Sequence, residues 1–438
     1  MNVFYYTFGC KVNQYETENI RERLNKLGFG ETGEIALAQI CVINTCTVTA
    51  QSDSKCRQLI RRIKKENPAC ILAVTGCLPQ AFPQDVQALS QCDIITGTKN
   101  KTALPELIMR YLSDGRRIVD IEEHSRNDRI EEMTNTFVEG KTRAYIKIQD
   151  GCDMHCSYCI IPKARGHIRS KPAEDIASEA ARLSASGHKE IILTGINLCC
   201  YGRDFKDGTR LIDAVEAVCS VKGDFRVRLG SMEPEMISDE DIASMSRLEK
   251  LCGQFHLSLQ SGCSKTLRLM NRHYEAEEYA LLCEKLRKHF PGCAITTDIM
   301  VGFPQETDED FQESLDFVRK IGFADAHIFP YSRRSGTAAD RLSGQLDNYT
   351  KRKRAAEMSA VCAETKKAYL SSQIGKVRRV LFEKESSPDF HQGHTAEYVL
   401  VKIPRTSQEI TLKRRFFDAE IIAAEDNFCI GRIIQPDY

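Results

Sequence analysis

Cys152, Cys156 and Cys159 stand in a C-x3-C-x2-C run within GCDMHCSYC, directly after the strand-like segment AYIKIQ. Thiolates are the usual protein ligands of iron–sulfur clusters, and a four-iron cubane held by three of them keeps one iron free for another ligand. Such a cluster can act on a bound molecule as well as carry electrons. Zinc is the competing reading: it normally closes with four ligands, and His155 or His167 would have to supply the fourth. Disulfides suit small secreted scaffolds rather than three cysteines crowded into one short run of a 438-residue chain.

A second set of cysteines is dispersed. VFYYTFG leads into Cys10, CVINT into Cys46 and ILAVTG into Cys77. Each segment reads as a strand, with helices expected from about 14 to 27 and from 52 to 65, so the three thiols fall at matching carboxyl ends of neighbouring strands. In open α/β sheets that edge is where ligands bind. The trio could share one metal centre. The alternative, a small apolar residue at a strand end, is what we expect of Cys41, Cys56, Cys70 and Cys92.

The elements that must position these thiols fall into three regions. Residues 1–112 alternate strand and helix, which predicts a parallel α/β sheet. Residues 113–140 are charged and weakly patterned and read as a linker. Residues 141–370 resume the alternation with AYIKIQ, KEIILTG, FRVRLG, QFHLSLQ, AITTDIMVGF and ADAHIFPYS as strands, and with helices at 173–185 and near 211–219. Residues 371–438 carry five short runs, VRRVLFEK, EYVLVKIP, EITLKRR, DAEIIAA and FCIGRII, which predict a small antiparallel β-barrel.

Composition sets outer bounds. Lys plus Arg equals Asp plus Glu at 61 each, so any nucleic-acid site must be a local patch. Candidate patches are Arg57, Arg61, Arg62, Lys64 and Lys65 on one helix, the KRKR run from Lys351 to Arg354, and the KRR run from Lys413 to Arg415. No apolar run approaches the roughly 18 residues of a membrane span. MNVFYYTFGCKVNQ lacks a secretory pattern, and 19 cysteines are compatible with metal binding in a reducing compartment, so we expect a cytoplasmic protein.

QDGCDMHCSYCIIPKARG resembles the cluster loop of the radical S-adenosylmethionine (SAM) superfamily. That resemblance implies a [4Fe-4S] cluster on Cys152, Cys156 and Cys159 whose open iron chelates SAM, and reductive cleavage of SAM to a 5′-deoxyadenosyl radical. It implies a partial (βα)6 barrel, open on one side. By the same similarity, Tyr158 lies near the adenine. Gly195, Asn197, Ser231, Glu233, Gln260 and Asp298, at strand ends of the barrel, are the candidate SAM contacts, with Gly302 in the same DIMVGFPQET segment as Asp298. Each also has a plain role available as a turn or cap residue.

Over essentially the whole chain the sequence is similar to the methylthiotransferase family, which joins such a barrel to an N-terminal α/β domain and a TRAM-like RNA-binding barrel. GHTAEYVLVKI carries the TRAM resemblance, with Glu397 where that family more often has Asn. The similarity implies a second, auxiliary [4Fe-4S] cluster on Cys10, Cys46 and Cys77 that bears the sulfur. One SAM would methylate that sulfur, a second would give the radical, and methylthio would be delivered to an unactivated carbon. IKIQDGCD, RVRLGSMEP and HLSLQSGC with MNRHY look most like the branch acting on C2 of N6-threonylcarbamoyladenosine at tRNA position 37, next to the anticodon. Lys163 and Gly230 depart from the usual Tyr and Ser of the family. The implied partners are tRNA and an electron donor such as flavodoxin or ferredoxin, with no membrane. Isopentenyladenosine in tRNA and an aspartate of a ribosomal protein are the alternative substrates. A non-catalytic, metal-stabilised RNA-binding protein is the alternative of another class.

Overall fold

The computed structural model describes residues 1–136, 141–383, 388–405 and 412–434. β1 (Asn2–Thr7), β2 (Gly30–Glu31), β3 (Ile40–Thr45), β4 (Ile71–Gly76), β5 (Ile94–Thr96) and β6 (Ile118–Asp120) form one sheet in the order β2-β1-β3-β4-β5-β6. Every pairing in it is parallel. Cys41 and Ile43 of β3 pack with Ile60 and Ile63 of helix Ala50–Glu66 on one face. Ile40 and Val42 pack with Ile20 and Leu24 of helix Lys11–Lys26 on the other. Burial of both faces explains why these strands read as unbroken apolar runs. Strand order reverses direction between β1 and β3, which opens a crevice at their carboxyl ends.

Three of these strands were not legible in the sequence: β2 is only two residues long. β5 and β6 are three residues each, and β6 lies inside the stretch read as a linker. Met133 and Asn135 of that stretch are buried, and the Tyr15 hydroxyl donates to the Met133 carbonyl at 2.5 Å. The stretch therefore wraps the first domain; its residues 137–140 lie outside the described ones.

The second region is a partial parallel barrel. β7 (Arg143–Lys147) is followed by the short antiparallel pair β8 (Gln149–Asp150) and β9 (Arg169–Ser170), which closes the base of the cysteine loop. β10 (Glu190–Thr194), β11 (Arg226–Leu229), β12 (Ser231–Met232), β13 (Gln254–Leu257), β14 (Ala294–Val301) and β15 (Asp325–Pro330) complete it in the orders β11-β10-β7 and β12-β13-β14-β15. Only Gly230 separates β11 from β12, so six strands result, as expected. Helices Ala173–Ala185 and Leu211–Cys219 fall where the sequence places them. Val227, Leu229, Phe255 and Leu257 face the helices in one core. Their alternates Arg226, Arg228, Gln254 and His256 therefore face the lumen, because successive strand side chains point to opposite faces.

β16 (Val377–Phe382), β17 (Phe390–His394), β18 (Leu400–Pro404), β19 (Arg415–Ala424) and β20 (Cys429–Ile433) close a small barrel. The count of five holds, but its members differ from the expected set. Part of EITLKRR lies outside the described residues, and the rest leads by a turn into β19. β17, in the polar and glycine-bearing FHQGH, supplies the remaining strand; such residues carry little strand propensity. One pairing, β18 with β20, is parallel, so the barrel is not wholly antiparallel. Its 394–399 segment covers the amino end of the central barrel: Arg226 donates to the His394 carbonyl at 3.1 Å and Arg228 to the Ala396 carbonyl at 2.9 Å. Among the described residues no helix is long and apolar enough to cross a membrane.

Candidate functional site

Register brings the dispersed cysteines together. Thr45 pairs with Gly76, so Cys46 and Cys77 each follow directly after paired residues of β3 and β4. Cys10 caps helix Lys11–Lys26 after β1. Gly9, at φ +95°, is required there, because a Cβ on it would stand 2.8 Å from the Cys46 Cβ. Burial raises the Cys10 thiol, with Arg165 pulling the other way, and pushes Cys46 up to about 12 with Cys77 adding to the effect. Thiols in this state become ligands only when a metal supplies the countercharge.

The contiguous cysteines lie on a loop tied at its base, with the Cys152 N–H donating to the Gly166 carbonyl at 3.0 Å. Gly151, at φ +74°, approaches the His167 carbonyl so closely that a Cβ would sit 1.8 Å from its oxygen. Arg272 donates to the Cys156 sulfur at 3.4 Å and pairs with Glu233. A hydrogen bond from Cys200 lowers Cys152, whereas burial raises Cys156 and pushes Cys159 up to about 12. His167, one candidate for a fourth zinc ligand, instead pairs with Asp153 at 2.6 Å. Among the described residues no three His, Cys, Asp or Glu side chains converge to hold a single metal ion.

The two cysteine sets lie on elements that pack together. Helix Cys77–Ala81 packs on helix Ile161–Arg165, and Cys77 and Ala81 share an apolar cluster with Ile160 and Ala164 just beyond Cys159. Lys163 lies over the Phe82 ring at 4.7 Å, so this departure from the family pattern serves the same contact. Beside it runs a fully buried ionic network. Arg165 reaches Glu16 at 2.5 Å and Asp150 at 3.1 Å and also bonds Asn13; Lys147 reaches Glu16 and Asp150 at 3.1 Å each, and Lys101 pairs with Glu16. Burial raises the Glu16 carboxyl, but Arg165, Lys101 and Lys147 together hold it well below the usual carboxylate range. On the far side Arg334 joins Asp53 at 2.6 Å.

His124 closes another part of this seam, with its Nε2 2.8 Å from the Thr98 hydroxyl, which itself donates to the Ala164 carbonyl at 2.6 Å. Burial, then Arg169, lower its imidazole to about 4. An unfolded histidine takes up its proton near pH 6.5, so the unfolded chain binds more protons between the two values. The His124 contribution to stability is complete above about pH 6.5 and falls as pH drops toward about 4. His124→Gln is expected to flatten that part of the profile, read as the urea midpoint against pH.

The other sequence candidates collect at the same barrel edge. Gln149 Oε1 accepts from the Ile196 and Asn197 N–H groups at 2.9 Å, which leaves no room for a side chain at Gly195. Ser231 and Ser258 hydroxyls bond at 2.9 Å, and Asp298 meets His256 Nε2 at 3.2 Å. Tyr158 packs edge-on against Phe303. Asn197 Nδ2 and Gln260 Oε1 are buried and lack partners among the described residues. Gln260 also holds a left-handed φ of +69°, a strained backbone for a non-glycine residue.

Residues 2–97 match uncharacterized protein family UPF0004, and residues 146–318 match the radical SAM superfamily. The chain is 36% identical to the threonylcarbamoyladenosine tRNA methylthiotransferase MtaB of Bacillus subtilis, over 93% of this chain and 91% of that one. The chain belongs to the radical SAM methylthiotransferases. This methylthiotransferase is also 37% identical to MtaB of Thermotoga maritima, over 90% of this chain and 89% of that one. It is 35% identical to the tRNA-2-methylthio-N6-dimethylallyladenosine synthase of Caldicellulosiruptor saccharolyticus, over 98% and 91%. In fold it is similar to the radical SAM methyltransferase TsrM of Kitasatospora setae (TM-score 0.52, 13% identity, 89% of this chain and 80% of that one). It is thus a tRNA-modifying transferase whose chemistry uses SAM and [4Fe-4S] clusters. The residues present fit these cofactors: two sets of thiols, a guanidinium beside each, and unpartnered polar atoms of Asn197 and Gln260 at the shared edge.

Sequence reading missed Arg165, Arg272, Glu16 and Cys200, whose partners are distant in the chain. Proximity alone reveals them. It also overstated the basic patches. Arg57 pairs with Asp85, Arg62 with Glu66 and Lys64 with Asp93. Within KRKR, Arg354 is buried on Glu306 and Lys351 lies over the Tyr331 ring. Arg61, Lys65, Arg352 and Lys413 remain exposed. Glu397 accepts from Arg378 at 3.0 Å, an ion pair inside the terminal barrel.

Proposed function

We propose that this methylthiotransferase converts N6-threonylcarbamoyladenosine at position 37 of tRNA to its 2-methylthio derivative. The observation that carries this reading is the character of the lumen. His256, Thr296 and Asp298 line it, half-buried and bonded to one another through His256. A polar wall suits a threonylcarbamoyl group, with its carboxylate and hydroxyl, and is a poor host for an isopentenyl group, whose transfer from water favours apolar surroundings.

In this reading Cys152, Cys156 and Cys159 hold the cluster that supplies the 5′-deoxyadenosyl radical, and Cys10, Cys46 and Cys77 hold the cluster that bears sulfur, with two SAM molecules consumed. Arg272 stands as countercharge beside Cys156, and Arg165 beside the first trio. Asn197, Glu233 and Gln260, with Tyr158, Gly195, Ser231 and Asp298, form the SAM-facing edge. Domain limits near 112, 140 and 370 assign the first cluster, the wrapping segment, the radical barrel and the RNA-binding terminal barrel. The electron donor is of the flavodoxin or ferredoxin type.

Mass analysis of tRNA nucleosides from a strain lacking the gene tests the substrate. Loss of 2-methylthio-threonylcarbamoyladenosine, with accumulation of its unmethylthiolated precursor, is the expected result. Loss of the isopentenyl derivative instead, or an unmodified tRNA profile with a lighter ribosomal protein, assigns one of the other substrates.

A further inference from the structure

Successive side chains of β15 point to opposite faces. Ala326 and Ile328 pack into the helix-side core, to which Val361 and Cys362 of helix Asn348–Ser371 also belong. Asp325, His327 and Phe329 therefore face the lumen, where they pair directly with Thr296, Asp298 and Met300 of β14. β14 is the only strand neighbour of β15, so this column stands at the open side of the partial barrel. Two of its three members are engaged: Lys366 reaches Asp325 at 3.2 Å, and Phe329 joins the apolar cluster of Tyr158, Met300 and Phe303. His327 is exposed, and among the described residues no hydrogen bond or ion pair ends on its imidazole. Its ring stands 6.2 Å from that of His256.

The neighbours of His327 are already committed. Gln254, whose oxygen accepts from Arg228 at 3.3 Å, donates to the Thr296 hydroxyl at 3.0 Å. That hydroxyl lies 3.1 Å from His256 Nδ1, and His256 Nε2 lies 3.2 Å from Asp298. With the Thr296 oxygen accepting from Gln254, its own proton goes to Nδ1, which leaves Nε2–H to donate to the carboxylate. Both nitrogens of His256 are thus used. The free polar head in this layer is His327.

We propose that His327 is a specificity residue that donates to the carboxylate of the threonylcarbamoyl group. This rests on the threonylcarbamoyl reading above. The depth agrees. His327 lies one side-chain layer, about 7 Å, inside Met300 and Phe329, which cluster with Tyr158 of the cysteine loop. A base held at that edge with its N6 substituent pointing inward brings the carboxylate to this layer. In its doubly protonated form the imidazole can donate to Asp298 and to a second carboxylate at once. An isopentenyl group offers it no acceptor and would leave it desolvated and unpaired, which disfavours that substrate.

The test is binding of synthetic anticodon stem-loops to the anaerobically reconstituted full chain. Three loops are compared: threonylcarbamoyladenosine, its carboxylate methyl ester and isopentenyladenosine at position 37. The unchanged chain should bind the free acid about 10- to 100-fold more tightly than the ester, the range for a hydrogen bond to a charged group. His327→Leu should bring acid and ester within about threefold of each other, whereas His327→Lys, which still donates, should keep the preference. His327 is exposed, so both variants should fold, and iron content with SAM binding checks the cofactor sites. The proposal is overturned if the unchanged chain ignores esterification, or if His327→Leu still prefers the acid. Weaker SAM binding in His327→Leu with an unaltered acid–ester ratio also overturns it, since the imidazole would then serve the cofactor. In these cases a preference for the threonylcarbamoyl loops over the isopentenyl loop leaves the substrate reading standing, and the opposite preference removes that reading too.

Discussion

Cys77→Ala should yield a folded protein that still cleaves SAM to 5′-deoxyadenosine but forms no methylthio nucleoside. Cys77 ends β4 and opens the short helix that packs on Ile160 and Ala164. It is buried in a small apolar contact, which alanine fills with the loss of a single sulfur, so stability should change little. The effect falls on ligation. Removing one of three thiolates should empty the first site and lower bound iron to about half, since each of the two clusters carries four irons. The second site keeps Cys152, Cys156 and Cys159, together with Arg272. Anaerobic iron analysis, 5′-deoxyadenosine yield and nucleoside mass should therefore separate: halved, retained and abolished. The mirror variant Cys159→Ala should abolish SAM cleavage as well. Retained methylthiolation in Cys77→Ala would remove this trio from the reaction.

Glu16→Ala is expected to be among the most destabilising single substitutions in the chain. Its carboxylate lies fully buried between Arg165, Lys101 and Lys147, and Asp150 also bonds Arg165 and Lys147. Truncation removes the one carboxylate bonded to all three of these cations, and breaking a buried ion pair from one side typically costs about 3–5 kcal/mol. The network joins the helix after Cys10 to the loop after Cys159, so the two domains should loosen together. A fall in the urea midpoint, with protease cleavage at the seam, measures it; an unchanged midpoint would mean that water or rearrangement satisfies the cations. In the folded chain the carboxyl remains ionised well below its unfolded value, so its contribution is present above about pH 4.5 and is lost as acid carries the pH below that point.

Particular residues mark how far the sequence is readable. Cys152, Cys156 and Cys159 announce themselves because their spacing is local. Cys10, Cys46 and Cys77 are readable because each ends a strongly apolar run, and strand ends in a parallel sheet share an edge. β5 and β6, at three residues, carry too little pattern to register, and β17 carries too little strand propensity. The basic runs misled in part, because charge along a sequence does not disclose which carboxylates stand opposite.

The sequence by itself determined the chemistry: the thiols, the strand–helix alternation that lines them up, and the barrel at the end. Those features are encoded within short windows, where periodicity and spacing suffice. Only the tertiary structure decided that the elements carrying the two cysteine sets pack together and that Arg165 and Arg272 stand beside them. Each of these depends on groups brought together from different elements. Their energies come from burial and from pairing across the domain seam, which no local window contains.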